Sequence, residues 1–379
     1  MKIFQKIFQK TKGWQNIASF DEAFEDVDLV LAFASTELLE NSQLIEEIRT
    51  QYPKAQILMG STAGEIIDDQ VYDNSLSLTA IQFEKTLIKS HQINIKDAAN
   101  SYDAGQKLAT LFDKNGLVSL FVLSDGQLVN GSDLVDGIQS NMPAEVIITG
   151  GLAGDGKRFQ TTRVGLNEMP LEGRIAAIGF YGSHFKVSFG SAGGWDAFGP
   201  ERLITKSKDN ILYELDHKPA LEVYKMYLGD YSSELPSAGL LFPLSLRGHD
   251  ASEPVIRTIL AVNEKDKSLT FAGNMPQGTY AKLMKADFDR LIQGAAEAAR
   301  NSIKKRKTIP ELAILISCVG RKLVLNQRID EEIEEIKAIF GNKTAITGFY
   351  SYGEISPENN FLKCELHNQT MTVTTFYES

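Results

Sequence analysis

The sequence contains little cysteine and little histidine. Its 379 residues include only two cysteines, Cys318 and Cys364, and five histidines. Two cysteines are too few for the disulfide framework of a small secreted domain, and they are ordinary for a protein of the reducing cytosol. The one Cys-x-x-His pair, Cys364 with His367, has no second pair to complete a zinc site. The sequence therefore predicts neither a disulfide scaffold nor a metal centre.

Long apolar runs are also missing. A run such as Leu29–Ala34 has the length of a strand, well short of the roughly 18 residues of a membrane-spanning helix. The N-terminal residues Met1–Lys10 have a lysine at every fourth position, so they lack the uninterrupted apolar core of a signal peptide. We expect a cytoplasmic protein without stable membrane insertion.

Residues 1–24 are predicted to form an amphipathic N-terminal segment, packed as a terminal helix, with a helical stretch at Ile17–Phe24. The same amphipathic character leaves open a weak contact with a partner or with a membrane surface.

An excess of basic residues is absent as well. The formal net charge is -10, whereas nucleic acids and anionic membranes attract proteins through clustered lysine and arginine. Neither is expected as the main partner. Hydrophobic residues make up 43% and charged residues 23% of the chain, which is typical of a globular protein. The length suits two or three domains.

The same succession of predicted secondary-structure elements occurs three times along the chain. Each copy has an apolar strand, an amphipathic helix, a second strand and a glycine-rich loop, and the loops are Gly60–Ile66, Gly150–Gly156 and Gly348–Ile355. A helical stretch precedes each copy (17–24, 97–112 and 280–304), and alternating, antiparallel-type stretches follow it (75–81, 175–187 and 371–376). Two apolar strands joined by a helix are typical of a parallel crossover. We predict an α/β fold of mixed sheets with repeated helix-strand-helix-strand units, in two tandem domains that meet near Ser207–Asn210.

The three loops are candidate ligand-binding segments. Each follows a strand of a predicted parallel pair, and ligands bind at such strand ends because backbone amides and side chains converge there. Each loop also carries a carboxylate that can accept hydrogen bonds from an ammonium group. The candidate side chains of the loops are Ser61, Thr62, Glu65, Asp155, Tyr350, Tyr352 and Glu354. The alternative is that glycine and a short polar residue merely turn the chain and that the carboxylate caps the next element.

The ends of the first strands carry further candidates. They are predicted to face the same crevice and are Ser35-Thr36, Ser124-Asp125 and Ser317-Cys318, with Arg321 three residues after Cys318. Arg321 is suited to bind a ligand carboxylate or to lower the pKa of the Cys318 thiol. The alternative is that Cys318 is a small hydrophobic residue of the core.

Catalytic motifs are incomplete. Gly151–Arg158 approaches the phosphate-binding P-loop, but Arg158 stands where the magnesium-binding serine or threonine is required. The serine-hydrolase elbow and the zinc-protease motif are absent from the sequence. We therefore predict that the chain is not an enzyme.

Taken together, the motifs resemble the FIST family of sensory domains, and the resemblance extends from about Leu29 to Glu378. Its most specific marks lie in the three loops, in the third strand end and in several turns. They are Gly60–Ile66, Gly150–Asp155, Gly194-Trp195, Gly199-Pro200, Glu214–Asp216, Pro219-Ala220, Tyr224, Cys318–Arg321, Gly348–Ile355 and His367–Thr370.

The resemblance implies sensing of a small molecule, with amino acids the usual ligands, and signalling to a separate histidine kinase, cyclase or chemotaxis receptor. It divides the chain into the N-terminal segment 1–24, a FIST N-terminal domain at 25–210 and a FIST C-terminal domain at 211–379. Some relatives are similar to haem-bearing nitric oxide sensors. The alternative function is thus a haem-dependent sensor, with His367 the first candidate iron ligand and His91, His184, His217 and His249 the others.

We expect the third loop to form the sensor pocket, with Arg321 pairing a ligand carboxylate and Glu354 pairing its amine. A third hypothesis is an enzyme that uses Cys318 or the Ser124–Asp125 pair as its nucleophilic centre.

Overall fold

Three similar modules and one inserted sheet make up the structure. The computed structural model describes residues 1–17, 26–248, 254–304, 306, 308–358 and 363–379. Each module contains a parallel strand-helix-strand crossover, as the sequence predicts.

The first module occupies residues 2–82. Its elements are β1 (Lys2–Gln9), β2 (Gly13–Asn16), β3 (Leu29–Ala34), α1 (Thr36–Leu39), α2 (Ser42–Gln51), β4 (Gln56–Ser61), β5 (Glu65–Ile67), β6 (Gln70–Tyr72) and β7 (Ser75–Gln82). Every residue of β3 is buried, because both faces of the sheet are covered. Asn41 precedes helix α2, and its side chain accepts hydrogen bonds from the Gln43 and Leu44 amides and so caps the helix.

The second module follows directly. Its elements are β8 (Leu87–Asn94), a short 3-10 helix (Ile95–Asp97), α3 (Ser101–Thr110), β9 (Leu117–Ser124), α4 (Gly131–Gln139), β10 (Ile147–Leu152), β11 (Val164–Leu166) and β12 (Arg174–Tyr181). Helices α3 and α4 approach closely, since a side chain at Gly105 would collide with the backbone of α4.

The third module begins with β13 (Phe185–Ala192) and is then interrupted by an inserted sheet. The insertion contains β14 (Asp196–Lys208), β15 (Ile211–Leu215), β16 (Lys218–Pro219), α5 (Ala220–Leu228), 3-10 helices at Gly229–Glu234 and Ser237–Leu240, β17 (Leu244–Arg247), β18 (Val255–Arg257), β19 (Ile259–Asn263), β20 (Ser268–Phe271) and β21 (Tyr280–Lys285). These strands form an eight-stranded sheet with its own core. Residues Ser207–Asn210 lie at the tip of the β14–β15 hairpin.

The third module resumes after the insertion. Its remaining elements are α6 (Phe288–Lys304), β22 (Leu312–Cys318), α7 (Val319–Leu325), a 3-10 helix (Asn326–Arg328), α8 (Ile329–Phe340), β23 (Ala345–Ser351), β24 (Gly353–Pro357), β25 (Cys364–His367) and β26 (Met371–Glu378). The antiparallel strands predicted after each loop are present as β7, β12 and β26.

The modules share one strand order. In each sheet the two crossover strands pair in parallel. The strand after the loop pairs antiparallel with the first crossover strand, and the strand that precedes the crossover in sequence lies next to the strand after the loop, on its other side. These orders are β4-β3-β7-β1, β10-β9-β12-β8 and β23-β22-β26-β13.

One strand of each module also pairs with the sheet of another module. Strand β5 of the first module pairs with β23 of the third, β24 of the third pairs with β10 of the second, and β11 of the second pairs with β4 of the first. The exchange closes a ring, and it brings the three glycine-rich loops together.

The central core lies inside this ring. Alternate residues of β3, β9 and β22 point to opposite faces, as the two-residue period of a strand requires. Phe33, Phe121 and Ile316 belong to one shared core. Their chain neighbours Ala32 and Val122 instead pack against the helices of their own modules.

Two predicted helices are strands. Residues 2–9 form β1, not a terminal helix, because Ile3 and Phe4 enter different cores on opposite faces of the sheet. Residues 280–285 form β21, not the start of a long helix, because Ala281 and Leu283 pack in the core of the inserted sheet. Of the helix predicted at 17–24, all but Ile17 lies outside the described residues.

Candidate functional site

A cavity of about 370 Å³ lies where the three modules meet. The first module contributes the loop after β4 and the turn before β7, the second contributes the loop after β10, and the third contributes α7. The lining residues are Ser35, Thr62, Ala63, Gly64, Glu65, Asp73, Asn74, Asp155, Gly156, Lys157, Arg158, Val319, Lys322 and Leu323. We refer to this space as the junction cavity.

Backbone hydrogen bonds join the three loops into a cycle. The Ala63 amide donates to the Tyr350 carbonyl at 2.8 Å and the Gly154 amide donates to the Ser61 carbonyl at 2.9 Å. The Tyr352 amide donates to the Leu152 carbonyl at 3.2 Å and completes the cycle. The wall of the cavity is therefore a fixed part of the fold.

Glycine is required at one point of this wall. Gly64 has a φ of +141°, and a Cβ there would collide with the Lys322 ammonium group. The Lys322 side chain is flexible and can move, so the positive φ is the main reason that position 64 needs a residue without a side chain.

Two of the three loop carboxylates have the same surroundings. Glu65 accepts hydrogen bonds from the Thr62 hydroxyl at 2.5 Å and from the Ser75 hydroxyl at 2.6 Å. Glu354 accepts them from the Ser351 hydroxyl at 2.7 Å and from the Thr370 hydroxyl at 2.9 Å. In both cases the amide that ends the loop, of Ser75 or Thr370, donates as well.

Burial changes the acidity of both groups. Desolvation raises the pKa of Glu65 to about 7 and the pKa of Glu354 to about 8, although the surrounding donors act in the opposite direction. Both carboxyls therefore bind protons near neutral pH more readily than an exposed glutamate does.

Asp155 organises its own loop. Its two carboxylate oxygens accept hydrogen bonds from the amides of Phe159, Gln160 and Thr161 at 2.8 to 3.0 Å. The Tyr352 hydroxyl also donates to Asp155, and its ring stacks on Phe159 with centroids 4.5 Å apart. This arrangement holds residues 155–161 against the third module.

Charged groups of both signs border the junction cavity. The Lys322 ammonium donates to the Ala63 carbonyl at 2.9 Å and to Asp73, and it lies 5.4 Å from the centre of the Tyr350 ring. Lys157 and Arg158 are exposed at the mouth. Asp73 is also largely exposed, so its pair with Lys322 is open to exchange with a ligand.

Three of the predicted binding residues line this cavity, namely Thr62, Glu65 and Asp155. Ser61 does not, because its hydroxyl accepts a hydrogen bond from the Arg163 amide at 2.8 Å within the wall. The prediction placed the sensor pocket at the third loop, whereas the structure opens the space beside the first and second loops.

Arg321 lies in a buried network. Its guanidinium pairs with Glu332 at 2.7 Å and donates to the backbone carbonyls of Leu291 and Gly193. Glu332 also accepts hydrogen bonds from the Tyr350 hydroxyl at 2.6 Å and the Ser317 hydroxyl at 3.2 Å. The hypothesis that Arg321 binds a ligand carboxylate is revised, because both members of the ion pair are fully buried and are paired with each other.

The assignment of Glu354 to a ligand amine is revised for a similar reason. Both of its oxygens accept hydrogen bonds from Ser351 and Thr370, and the side chain is fully buried. Tyr350 and Tyr352 likewise use their hydroxyls within the protein. None of the three lines the junction cavity.

The nucleophile hypotheses find no support in the geometry. Burial raises the pKa of the Cys318 thiol, and the Glu354 carboxylate nearby raises it further, which disfavours a reactive thiolate. Ser124 donates to the Asp125 carbonyl, not to its carboxylate. The Asp125 carboxylate accepts amide hydrogen bonds from Gln127, Leu128 and Gly173 instead.

The four histidines in the described part of the chain do not offer a ready haem ligand. The His367 Nε2 is 3.0 Å from the Ser356 carbonyl, so it carries the proton, and desolvation lowers the ring pKa to about 4. His91 packs edge-on against Phe112, while His184 and His217 are exposed. His249 lies outside the described residues. Haem binding remains a prediction from the resemblance alone.

The described residues contain neither a metal-binding cluster nor a membrane-spanning helix. Among the described residues, no three His, Cys, Asp or Glu side chains are grouped so as to hold a metal ion. Within the same residues, no helix has both the length and the apolar character needed to cross a bilayer.

Three charged residues that line the junction cavity are not among the residues predicted to bind a ligand, namely Lys322, Asp73 and Lys157. Lys322 directly follows Arg321, and only the orientation of α7 decides which of the two basic side chains faces the cavity. A helix turns by about 100° per residue, so neighbouring residues face different directions. In the P-loop pattern Lys157 matches the required lysine and Arg158 is the departure, so that comparison does not point to a ligand carboxylate for either side chain.

Comparison with known families agrees with this architecture. The FIST N domain matches residues 28–218 and the FIST C domain matches residues 220–357. The chain belongs to the FIST family. FIST domains are sensory domains of signal transduction.

Two individual proteins are similar to this chain. An uncharacterized protein of Methanocaldococcus jannaschii is 23% identical over 349 residues, which cover 84% of this chain and 64% of that relative. Among solved structures, a cyanuric acid hydrolase from A. caulinodans matches at 9% identity with a TM-score of 0.22, over 78% of this chain and 68% of that one. The FIST chain thus spans about two thirds of its curated relative.

Proposed function

We propose that this FIST protein senses a small zwitterion, an amino acid, in the junction cavity. The observation that carries the proposal is that groups of opposite charge line one small space: the basic side chains of Lys322, Lys157 and Arg158, and the carboxylate of Asp73, which is paired with Lys322. A free amino acid carries one carboxylate and one ammonium group, which match these two signs.

In the proposed complex the ligand carboxylate binds Lys322 and Arg158, and the ligand ammonium binds Asp73. Lys322 then exchanges an internal partner for an external one. This exchange costs little because the Lys322–Asp73 pair is already partly exposed. Val319, Leu323 and Ala63 supply the apolar surface for a short side chain.

In the proposed complex the ligand contacts residues of all three modules at once. Lys322 belongs to α7 of the third module, Asp73 to the first and Arg158 to the second. A ligand that contacts all of them stabilises one relative arrangement of these elements, which is what a sensor needs in order to shift a population. We propose that a separate histidine kinase, cyclase or chemotaxis receptor in the cytoplasm reads this arrangement.

A thermal-shift screen against the protein amino acids tests the proposal. A ligand that binds only the folded state stabilises it by about 2.7 kcal/mol at one hundred times its dissociation constant. We expect at least one amino acid to raise the melting temperature of the parent protein, and the rise to be lost in Lys322→Gln and Asp73→Asn.

Lys337→Gln is the matched control. Lys337 also joins the third module to the first, through a partly buried ion pair with Asp68 at 2.6 Å, but it lies outside the cavity. This variant should keep the ligand-induced rise. The proposal is wrong if no amino acid stabilises the parent, or if Lys322→Gln responds as the parent does.

A further inference from the structure

A second crevice, of about 580 Å³, separates the inserted sheet from the third module. Its first wall is the outer face of β17, β18 and β21, with Ser245, Arg247, Ile256, Lys282 and Met284. Their strand neighbours Leu244, Leu246, Ala281 and Leu283 point the other way, into the core of the inserted sheet. We call this space the insertion crevice.

The opposite wall is fixed by the third module. The Trp195 indole donates to the Gln369 carbonyl at 2.7 Å, and Arg321 donates to the Gly193 carbonyl. Gly194 has a φ of +80°, and a Cβ there would collide with the Arg290 carbonyl of α6. Trp195 is therefore held in one position between the two walls.

The floor of the insertion crevice is apolar. Trp195, Met284 and Ile256 pack together there, and an aromatic or branched aliphatic group would fit against them. Clefts between structural units with an apolar lining and a few polar groups are the usual binding places for small organic molecules.

The charged side chains that line the crevice differ in how many hydrogen bonds and ion pairs they make. Arg247 makes two hydrogen bonds with Glu201, at 3.2 and 2.9 Å, and lies 5.0 Å from the Tyr280 ring centre. Within the described residues, no hydrogen bond or ion pair within 4 Å engages the ammonium of the half-buried Lys282, and its nearby counter-charge, Glu201, is already hydrogen-bonded to Arg247. Two further carboxylates line the crevice, Glu297, which is exposed, and Glu358, which is buried. A half-buried ammonium gains more from an added counter-charge than an exposed carboxylate does.

We infer that the insertion crevice is a second small-molecule site, specific for a monocarboxylate with an aromatic or branched apolar body. The carboxylate binds Lys282, with Arg247 beside it, and the apolar body covers Trp195, Met284 and Ile256. Glu297 and Glu201 disfavour a second negative charge on the ligand. This site is separate from the junction cavity and does not rest on the amino-acid proposal.

Tryptophan fluorescence tests the inference directly. The sequence contains two tryptophans, Trp14 and Trp195, so Trp14→Phe leaves Trp195 as the reporter. We use 3-phenylpropionate as the probe and its neutral amide as the control ligand. The expected result is a saturable change in Trp195 emission with the carboxylate, and binding about tenfold weaker for the amide because a charge-assisted hydrogen bond is lost.

Variants then locate the carboxylate. In the Trp14→Phe background, Lys282→Gln should weaken 3-phenylpropionate binding about tenfold. Lys285→Gln removes the same charge from the same strand, but position 285 points to the opposite face, so it should bind as the parent does. Lys322→Gln, in the junction cavity, should also bind as the parent does.

Three results would overturn the inference. They are an emission change that does not saturate, equal affinity for the carboxylate and the amide, and a loss of binding in Lys322→Gln that Lys282→Gln does not share. Loss of amino-acid sensing with intact 3-phenylpropionate binding would leave it standing.

Discussion

The first and third loops contain the same local motif, yet only the carboxylate of the first lines the junction cavity or the insertion crevice, whereas the third borders the insertion crevice through its hydroxyl donor, Thr370. Glu65 and Glu354 each accept two hydroxyl hydrogen bonds and one amide hydrogen bond from equivalent positions. Glu65 lines the junction cavity, whereas Glu354 lines neither that space nor the insertion crevice. A repeated motif can therefore be a structural unit in every copy, with its neighbours deciding where a ligand has access.

The neighbouring residues explain the difference. Before β7, Asn74 has a φ of +55° and lines the cavity. Before β26, Gln369 has a φ of +60°, but its side chain packs against α7, where a Cβ at Gly320 would lie 2.5 Å from its amide nitrogen. The Gln369 side chain occupies space beside the third loop and keeps α7 close to it.

The largest change in the free energy of unfolding is expected for Arg321→Ala. Removing one partner of a buried ion pair leaves an uncompensated charge, so the free energy of unfolding should fall by about 3–5 kcal/mol. Urea denaturation measures the loss. A ligand-binding arginine would instead leave stability nearly unchanged, and that result would restore the third loop as the sensor pocket.

The next largest change in stability is expected when the pH is varied through the range in which Glu354 and Glu65 titrate. Because the pKa of Glu354 is raised to about 8 in the folded state, the folded protein binds more protons than the unfolded chain between roughly pH 4.5 and 8. The contribution of Glu354 to the free energy of unfolding is complete below pH 4.5 and is lost as the pH rises towards 8. The contribution of Glu65 is likewise lost with rising pH, and its loss is complete at about pH 7.

Glutamine variants separate the two copies. Glu354→Gln should flatten the decline in urea midpoint between pH 5 and pH 8 more than Glu65→Gln does. Glu46→Gln, at an exposed position of α2, is the control and should leave the slope unchanged. Equal slopes in parent and Glu354→Gln would show that this carboxyl does not titrate as described.

Gln369→Ala sharpens the comparison at the third loop. It removes the hydrogen bond to the Leu240 carbonyl and the contact with Gly320, so the free energy of unfolding should fall by about 1–2 kcal/mol. If this side chain controls access, amide exchange of Thr370, the donor to Glu354, should accelerate relative to Ser75 of the first module. Unchanged protection of Thr370 would show that other contacts seal the third loop.

The smallest stability effect is expected at the junction cavity itself. Lys322→Gln removes a pair with a largely exposed aspartate, so the free energy of unfolding should change by about 1 kcal/mol or less. Urea denaturation of Lys322→Gln and Lys337→Gln should give similar small losses. A loss as large as that of Arg321→Ala would mean that Lys322 is a structural residue.

Much of the fold follows from local patterns. The apolar strand at 29–34 has the predicted bounds, and the α/β class with mixed sheets is confirmed. The exchange of β5, β11 and β24 among modules could not be predicted, because these strands of three to five residues pair with distant segments and have no distinctive period. The N-terminal repeat of lysines fits a helix or a strand, and only burial on both faces decides between them.

The site was only partly predictable for a related reason. Thr62, Glu65 and Asp155 lie in the predicted loops and line the junction cavity. Arg321 and Lys322 are adjacent basic residues, and sequence chemistry favours arginine for binding a carboxylate. The packing of α7 against α6 and α8 turns Arg321 inwards to Glu332 and leaves Lys322 at the cavity. Such a choice depends on tertiary packing, which a single sequence does not contain.

Isothermal titration calorimetry is the most direct test of the junction cavity as the sensor site. The amino acid that most stabilises the parent is titrated into the parent, Lys322→Gln and Lys337→Gln. The account predicts binding at one site per chain in the parent and in Lys337→Gln, and affinity at least about tenfold weaker in Lys322→Gln. Equal affinity in all three proteins would contradict it and would place the sensor site elsewhere in the molecule.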